Sequence, residues 1–336
     1  MKKLAMGALV LALSCSPILA GPLNTEQIAG KAKWLAHVDV AALLKSGIAQ
    51  FVLAEAEKKD GFLEGIVQFR ETVGFDPLKD VHGLTIYGMK VGDESGVVIL
   101  DATTDKDKLL TLLTANETYK SHEYGDYVLH QWTDEAKMPK VAAAAVKMPK
   151  THYGTFYDAK TIVVASSLAL LKDAIDVLDG KGESLAKSEG IKVLPKTAAG
   201  AFAVAAAEGI ELPANAKPEA ALLRDIRDAS VQIGETEGST FLAITAWTQT
   251  AEKALKLRQV VQGFVALGQM MMAEQPDLPV LGEKVQVTGE ETTVHVDAAV
   301  PTESLIKMIQ FAAERKKQME ARKDRLKAAA AGAKTE

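Results

Sequence analysis

Residues 284–299 read KVQVTGEETTVHVDAA, and their alternation decides the fold class. Val285, Val287, Val294, Val296 and Ala298 fall on one side of two extended segments, while Lys284, Gln286, Thr288, Thr293, His295 and Asp297 fall on the other. A period of two is that of a β-strand, and Gly289-Glu290-Glu291 supplies the turn between the two segments. A hairpin with one dry and one wet side belongs to an antiparallel sheet shielded by helices on one face. The chain is therefore read as α+β.

Outward from this hairpin, the same order of hairpin and helix recurs. Residues 82–89 and 96–102 turn at Gly92-Asp93-Glu94-Ser95 and precede a helix from Asp105 to Leu113. Thr104 is its expected cap, with Asp107 in the reciprocal place of a capping box. Residues 118–124 and 127–133 form a further hairpin around Gly125-Asp126. Residues 152–157 and 161–166 turn at Asp158-Ala159-Lys160 before a helix from Leu168 to Leu178. Residues 228–234 and 239–247 precede a helix from Thr250 to Met272, and the last hairpin precedes one from Thr302. The helix at 250–272 is apolar nearly all round, with Leu255, Leu257, Val261, Phe264, Leu267 and Met270, and is expected to be the most buried element.

Strands at 33–40 and 199–206 each open a half, the first followed by helices at 41–58 and 62–73. The expected organisation is two pseudo-repeated halves, 32–182 and 183–326, with helices covering one sheet face. A linker at 21–31 precedes them and a flexible Ala/Lys-rich tail at 327–336 follows. The last helix turns charge-dense from Glu314 (Arg315, Lys316, Lys317, Arg322), which reads as a solvated extension laced with Glu–Lys pairs. The alternative is a docking arm for an acidic partner or anionic lipid head groups, against which Glu314, Glu320 and Asp324 dilute the charge.

Residues 1–20 have the build of a secretory signal: Lys2 and Lys3, an apolar run from Leu4 to Leu13, then small residues through Ala20. The run is half the ~20 residues a spanning helix needs. Cleavage after Ala20 competes with lipidation of Cys15, which follows Ala12-Leu13-Ser14 in a manner resembling a lipobox. The chain is thus read as exported, either periplasmic or secreted, or tethered as a lipoprotein. Cys15 is the only cysteine, so no internal disulfide is available. Losing Lys2 and Lys3 takes the formal net charge from −5 to −7, which disfavours nucleic acid as a partner. No later segment is long and apolar enough to span a bilayer.

Candidate chemistry is sparse. His37-Val38-Asp39 and His295-Val296-Asp297 each place His and Asp on one strand face, and four such ligands suit a metal if the two strands are neighbours. The alternative is polar residues on a wet face, with Asp39 also placed to cap a helix. Ser184-Leu185-Ala186-Lys187 matches Ser-x-x-Lys, but so does Ser304 to Lys307, and no Ser-Asp-Asn accompanies either. Gly180-Lys181-Gly182 lacks the pattern of a phosphate loop. Met270-Met271-Met272 reads as core filler. His122 and His130 face each other only in a favourable hairpin register. No catalytic residue and no cofactor is expected.

The stretch Lys33-Trp34-Leu35-Ala36-His37-Val38-Asp39 with Ala41-Ala42-Leu43 resembles the opening of signal-bearing bacterial envelope proteins in domain-of-unknown-function families. So does Thr161-Ile162-Val163-Val164-Ala165-Ser166 with Gly180-Lys181 and Ser184-Leu185. The resemblance touches about half the chain, implies export and a repeated α+β fold, and carries over no site residue. The function expected is a non-enzymatic binding or interaction module for a protein or small-molecule ligand. The alternatives are a hydrolase whose site forms only in three dimensions, and a structural lipoprotein tethered at Cys15.

Overall fold

Strands form where β-branched, aromatic and small residues alternate, and every pairing among the described residues is antiparallel. The computed structural model describes residues 21–92, 95–133, 151–211, 224–273 and 285–332. Its first strands are β1 (Trp34–Asp39), β2 (Val81–Gly88), β3 (Val97–Ala102), β4 (Lys120–Tyr124), β5 (Tyr127–Thr133), β6 (Thr151–Phe156) and β7 (Thr161–Ala165). The second set is β8 (Ala201–Ala207), β9 (Ile226–Thr236), β10 (Ser239–Thr248), β11 (Val285–Thr288) and β12 (Thr293–Pro301). All lie in one sheet, in the order β11-β12-β10-β9-β8-β1-β2-β3-β7-β6-β5-β4. With the helices that follow them, the fold is α+β. Its outer strands are poor templates for further pairing: β11 is four residues long, and β4 exposes Lys120 and Glu123.

Two helices, α1 (Val40–Lys45) and α2 (Gly47–Glu57), replace the single helix expected at 41–58. Ser46 separates them with an extended backbone. Its hydroxyl donates to the Leu43 carbonyl at 2.6 Å and accepts the Ala49 N–H at 3.2 Å. The Gly47 N–H donates to both carboxylate oxygens of Glu235 at 3.0 Å, placing a negative charge at the positive end of α2. α3 (Phe62–Val73) ends at Gly74 in the left-handed region (φ 92°). α4 (Lys106–Thr114) is capped by Asp105, which accepts the Lys108 N–H at 3.0 Å, so the cap lies one residue beyond the expected Thr104. A carboxylate is the stronger acceptor of the two. α5 (Leu168–Leu178) is capped by Ser167. α6 (Ala251–Ala273) and α7 (Thr302–Gly332) follow, and α7 continues through much of the stretch expected as a tail.

Register shows which sides are covered. Leu35 lies opposite Ala206, Ala206 opposite Ser230, Ser230 opposite Thr245, and Thr245 opposite His295. Residues so paired share a sheet face. On that face Leu35, Tyr87, Val97 and Val163 are buried beneath Leu171 and Ile175 of α5. Ala246 and Val294, each next in sequence to a member of the Thr245–His295 pair, point the other way and pack under Ala254 and Leu257 of α6. α5 and α6 therefore lie on opposite faces, so the helices do not all cover one face as expected, although α4 shares α6's face through Lys106 over Phe156. Nor is α6 the most buried element. Only its first turns meet the sheet, which ends at β11, a strand about 14 Å long. Phe264 and Met270 are 63% and 59% exposed.

The linker expected at 21–31 is part of the main core. Ile28 and Ala32 are fully buried, and a short 3-10 turn at Thr25–Gln27 precedes them. The Gly30 N–H donates to the Glu183 carbonyl at 2.8 Å, and the Leu185 N–H to that of Ile28 at 2.7 Å. Leu185 and Ile191 join the same core, so the boundary expected between 182 and 183 cuts through the first half's packing. Short apolar runs outside periodic elements are what sequence patterning reads as loop. Ile28→Ala is expected to cost about 3 kcal/mol in urea unfolding, the range for truncating a buried isoleucine. A loss under about 0.5 kcal/mol, the scatter of surface substitutions, would return the segment to linker status.

Candidate functional site: a charged cavity at the seam

His37 and Asp39 lie on β1, and His295 and Asp297 on β12. Three strands, β8, β9 and β10, stand between them. Four strand spacings amount to about 19 Å, so the two pairs are not brought together. Each has a local role instead. His37 Nδ1 lies 2.9 Å from Thr85 Oγ1, and burial pushes its pKa down against the opposing pull of Asp39. Asp39 caps α1 by accepting the Ala42 N–H at 2.8 Å. His295 Nδ1 lies 3.1 Å from Thr245 Oγ1, and Asp297 is exposed. Among the described residues, no group of three or more His, Cys, Asp or Glu is placed to hold a metal ion.

The other sequence candidates also separate. Ser184 is buried while Lys187 is exposed, which parts the Ser-x-x-Lys pair. His122 pairs with Leu129 and His130 with Ser121, so the two histidines do not face each other. His122 bonds Gln131 and His130 bonds the Tyr119 hydroxyl, both at 3.0 Å. Cys15 and the side chains of Met271 and Met272 lie outside the described residues.

A tyrosine–aspartate network fastens the β4–β5 hairpin to α5. The Tyr124 hydroxyl lies 2.9 and 3.0 Å from the Asp176 carboxylate oxygens, and Tyr127 and Tyr157 donate to Asp179 at 2.7 and 3.1 Å. Lys181 at 2.8 Å, followed by Tyr127, pulls the Asp179 pKa down. Every hydroxyl and carboxylate here has a partner within the network, which makes it a clasp.

A cavity at one end of the sheet is of another kind. Antiparallel order brings the start of β1, the end of β2, the end of β8 and the start of β9 to one end of the sheet. There a cavity of about 500 Å³ opens across the β1–β8 seam, within the usual size range of small-molecule sites. Met89, Val91 and Val193 give it apolar walls. Lys33, Lys90, Lys192, Arg227, Glu208 and Asp228 line it with charge. Backbone bonds fix the frame: Lys33 N–H to Gly88 O at 2.9 Å, Glu208 N–H to Lys33 O at 2.8 Å, and Ile210 N–H to Arg227 O at 2.7 Å. The Trp34 indole N–H holds the Lys90 carbonyl at 3.0 Å. A Cβ on Gly88 would come within 2.5 Å of that indole nitrogen, so only glycine lets the ring lie there.

Both carboxylates of the cavity are engaged. Asp228, buried, accepts the Gly209 N–H at 3.0 Å on one oxygen, and the Arg227 guanidinium at 2.6 Å on the other. Glu208 accepts the Lys192 N–H at 2.6 Å and lies 3.8 Å from Lys33 Nζ. Among the described residues Lys90 Nζ has no ion-pair or hydrogen-bond partner. Sequence reasoning missed this site because its residues belong to no motif. The only trace was charge at the ends of separate strands, which gains meaning once strand order is known.

No family model and no curated protein matches the chain. Among solved structures it is similar to TP0453 in crystal form III, with a TM-score of 0.45 and 7% identity over 86% of this chain and 98% of that one. Crystal form I gives 0.42 and 8% over 87% and 98%, and crystal form IV gives 0.41 and 8% over 86% and 97%. Among the described residues, no helix is long and apolar enough to cross a membrane.

His37 and His130 are held neutral, their pKa values lowered from 6.5 chiefly by burial, with Lys106 adding to the effect at His130. The unfolded chain therefore binds protons at a pH where the native state does not. Their contribution is whole above 6.5 and is lost as pH falls through that value toward the depressed native values. The urea midpoint should drop between about pH 7 and pH 5, with a smaller drop in the His37→Gln/His130→Gln variant. Equal slopes in the two proteins would contradict this assignment.

Proposed function

We propose that the chain is an exported bacterial binding protein, non-enzymatic, that holds a small molecule in the seam cavity. The observation that carries the reading is the cavity itself: about 500 Å³ of space framed by four strand ends and the segment before β8, with residues drawn from both halves. Its carboxylates are occupied by backbone N–H groups and cations, which suits them to shaping a site better than to moving protons. Export is supported by the signal-like build of residues 1–20, which lie outside the described residues, and by the likeness of residues 33–43 to signal-bearing envelope proteins.

The strand order also supports reading the halves as repeats. Outward from the seam, β1-β2-β3-β7-β6 on one side answers β8-β9-β10-β12-β11 on the other, with the β4–β5 hairpin as an addition. In each series a helix, α4 or α6, follows the third strand. A duplicated unit closed by pairing of its first strands places a pseudo-twofold axis midway along the β1–β8 pairing, near Ala36 and Ala205. Superposition of the two five-strand sets to more than about 5 Å, the neighbour-strand spacing, would remove the duplication.

Filling the cavity tests the binding reading. Val193→Trp enlarges a side chain that lines the opening, and the variant's circular-dichroism spectrum and urea midpoint check that the fold is kept. In a thermal-shift screen of small metabolites, wild-type protein should be stabilised by some that leave Val193→Trp unmoved. About 2.7 kcal/mol of stabilisation is expected at a hundredfold excess over Kd. Identical responses from both proteins, or hydrolytic turnover lost in the variant, would overturn the proposal.

A further inference from the structure

We propose that the ligand of the seam cavity is a small organic dianion, a dicarboxylate or a phosphate ester with a short apolar body. This rests on the reading of the cavity as a binding site and adds its chemical class. Four cations line the space against two carboxylates. Asp228 is consumed by Arg227 and the Gly209 N–H, and Glu208 by Lys33 and the Lys192 N–H. Among the described residues this leaves Lys90 unpaired, and Lys192 held only by a partner outside the cavity. Lys192 has an outside partner in Glu189 at 3.1 Å, but their side chains are 70% and 89% exposed. Such a pair is worth little and exchanges readily for a better one.

The surplus is local. The whole chain carries a formal charge of −5, so four cations against two carboxylates at one opening run against the general balance. Lys90 and Lys192 arrive from opposite sides, the first from the end of β2 and the second from the segment before β8. Met89, Val91 and Val193 line the same opening and give a hydrocarbon body a place to rest. Lysine ammoniums are point charges with rotatable donors. They serve carboxylate and phosphate alike, without the planar selectivity of an arginine fork.

The test is an amide-resolved NMR titration of the mature chain, residues 21–336, with glutarate, glycerol 3-phosphate and glutaramide. The last has the shape of the first without its charge. Glutarate or glycerol 3-phosphate should shift the Gly209 and Val193 resonances, and whichever shifts them more names the anionic group. Glutaramide should shift neither. Lys90→Gln with Lys192→Gln should weaken binding about tenfold, the loss of two partly screened charge contacts. Glu208→Gln should tighten it, because Gln still accepts the Lys192 N–H while Lys33 is released toward the ligand. A gain cannot come from damage to the fold, so this variant decides the matter even if the double variant unfolds. Glutaramide binding as well as glutarate, or Glu208→Gln weakening the anion, would sink the anionic class and leave the cavity as a site for neutral ligands. Silence of Gly209 and Val193 toward all three probes would sink both the class and the site.

Discussion

The pairing of β1 with β8 is the constraint on which the molecule depends. It joins Trp34–Val38 to Ala203–Ala207 in antiparallel register and turns two sets of strands into one sheet. Without it, β1 and β8 would each be an edge with a row of unpaired backbone groups. The small side chains of β8, all Ala but for Phe202 and Val204, let the two halves approach with little bulk between them. The same pairing lines up the four strand ends that frame the cavity. Fold and site are thus set by one interaction between residues far apart in sequence.

Residues with a period of two or a clear cap were legible, and those governed by long-range contacts were not. The helix at Leu168–Leu178 and the hairpin strands emerge from local pattern, because alternation and turn residues act within a few positions. The side on which each helix packs does not. His37 stands in a polar register with Asp39, yet lies on the face closed by α5 and by the segment around Ile28. The two His–Asp pairs looked alike in sequence, and strand order alone separates them. Glu235 holding the start of α2 is likewise a contact between halves that no local pattern announces.

The cavity shows why a motif search finds nothing here. Its chemistry is assembled from single residues at strand ends, and each carboxylate serves the frame before it serves any ligand. Asp228 is buried because it satisfies Gly209 and Arg227 together, which balances the cost of burying a charge. Positive charge is then in excess by arrangement, on a protein whose composition leans the other way.

The reach of the β1–β8 contact also bears on how the chain comes together. If export delivers it from the N-terminus, β1 emerges first and must wait for β8, with the β2 side able to zip up meanwhile. Loop closure on that scale is slow, as for other sheets dominated by distant pairings. During the wait β1 offers an open row of donors and acceptors beside apolar neighbours. An unfinished chain is then vulnerable to joining another copy at the same place, where two first halves would mimic the native junction.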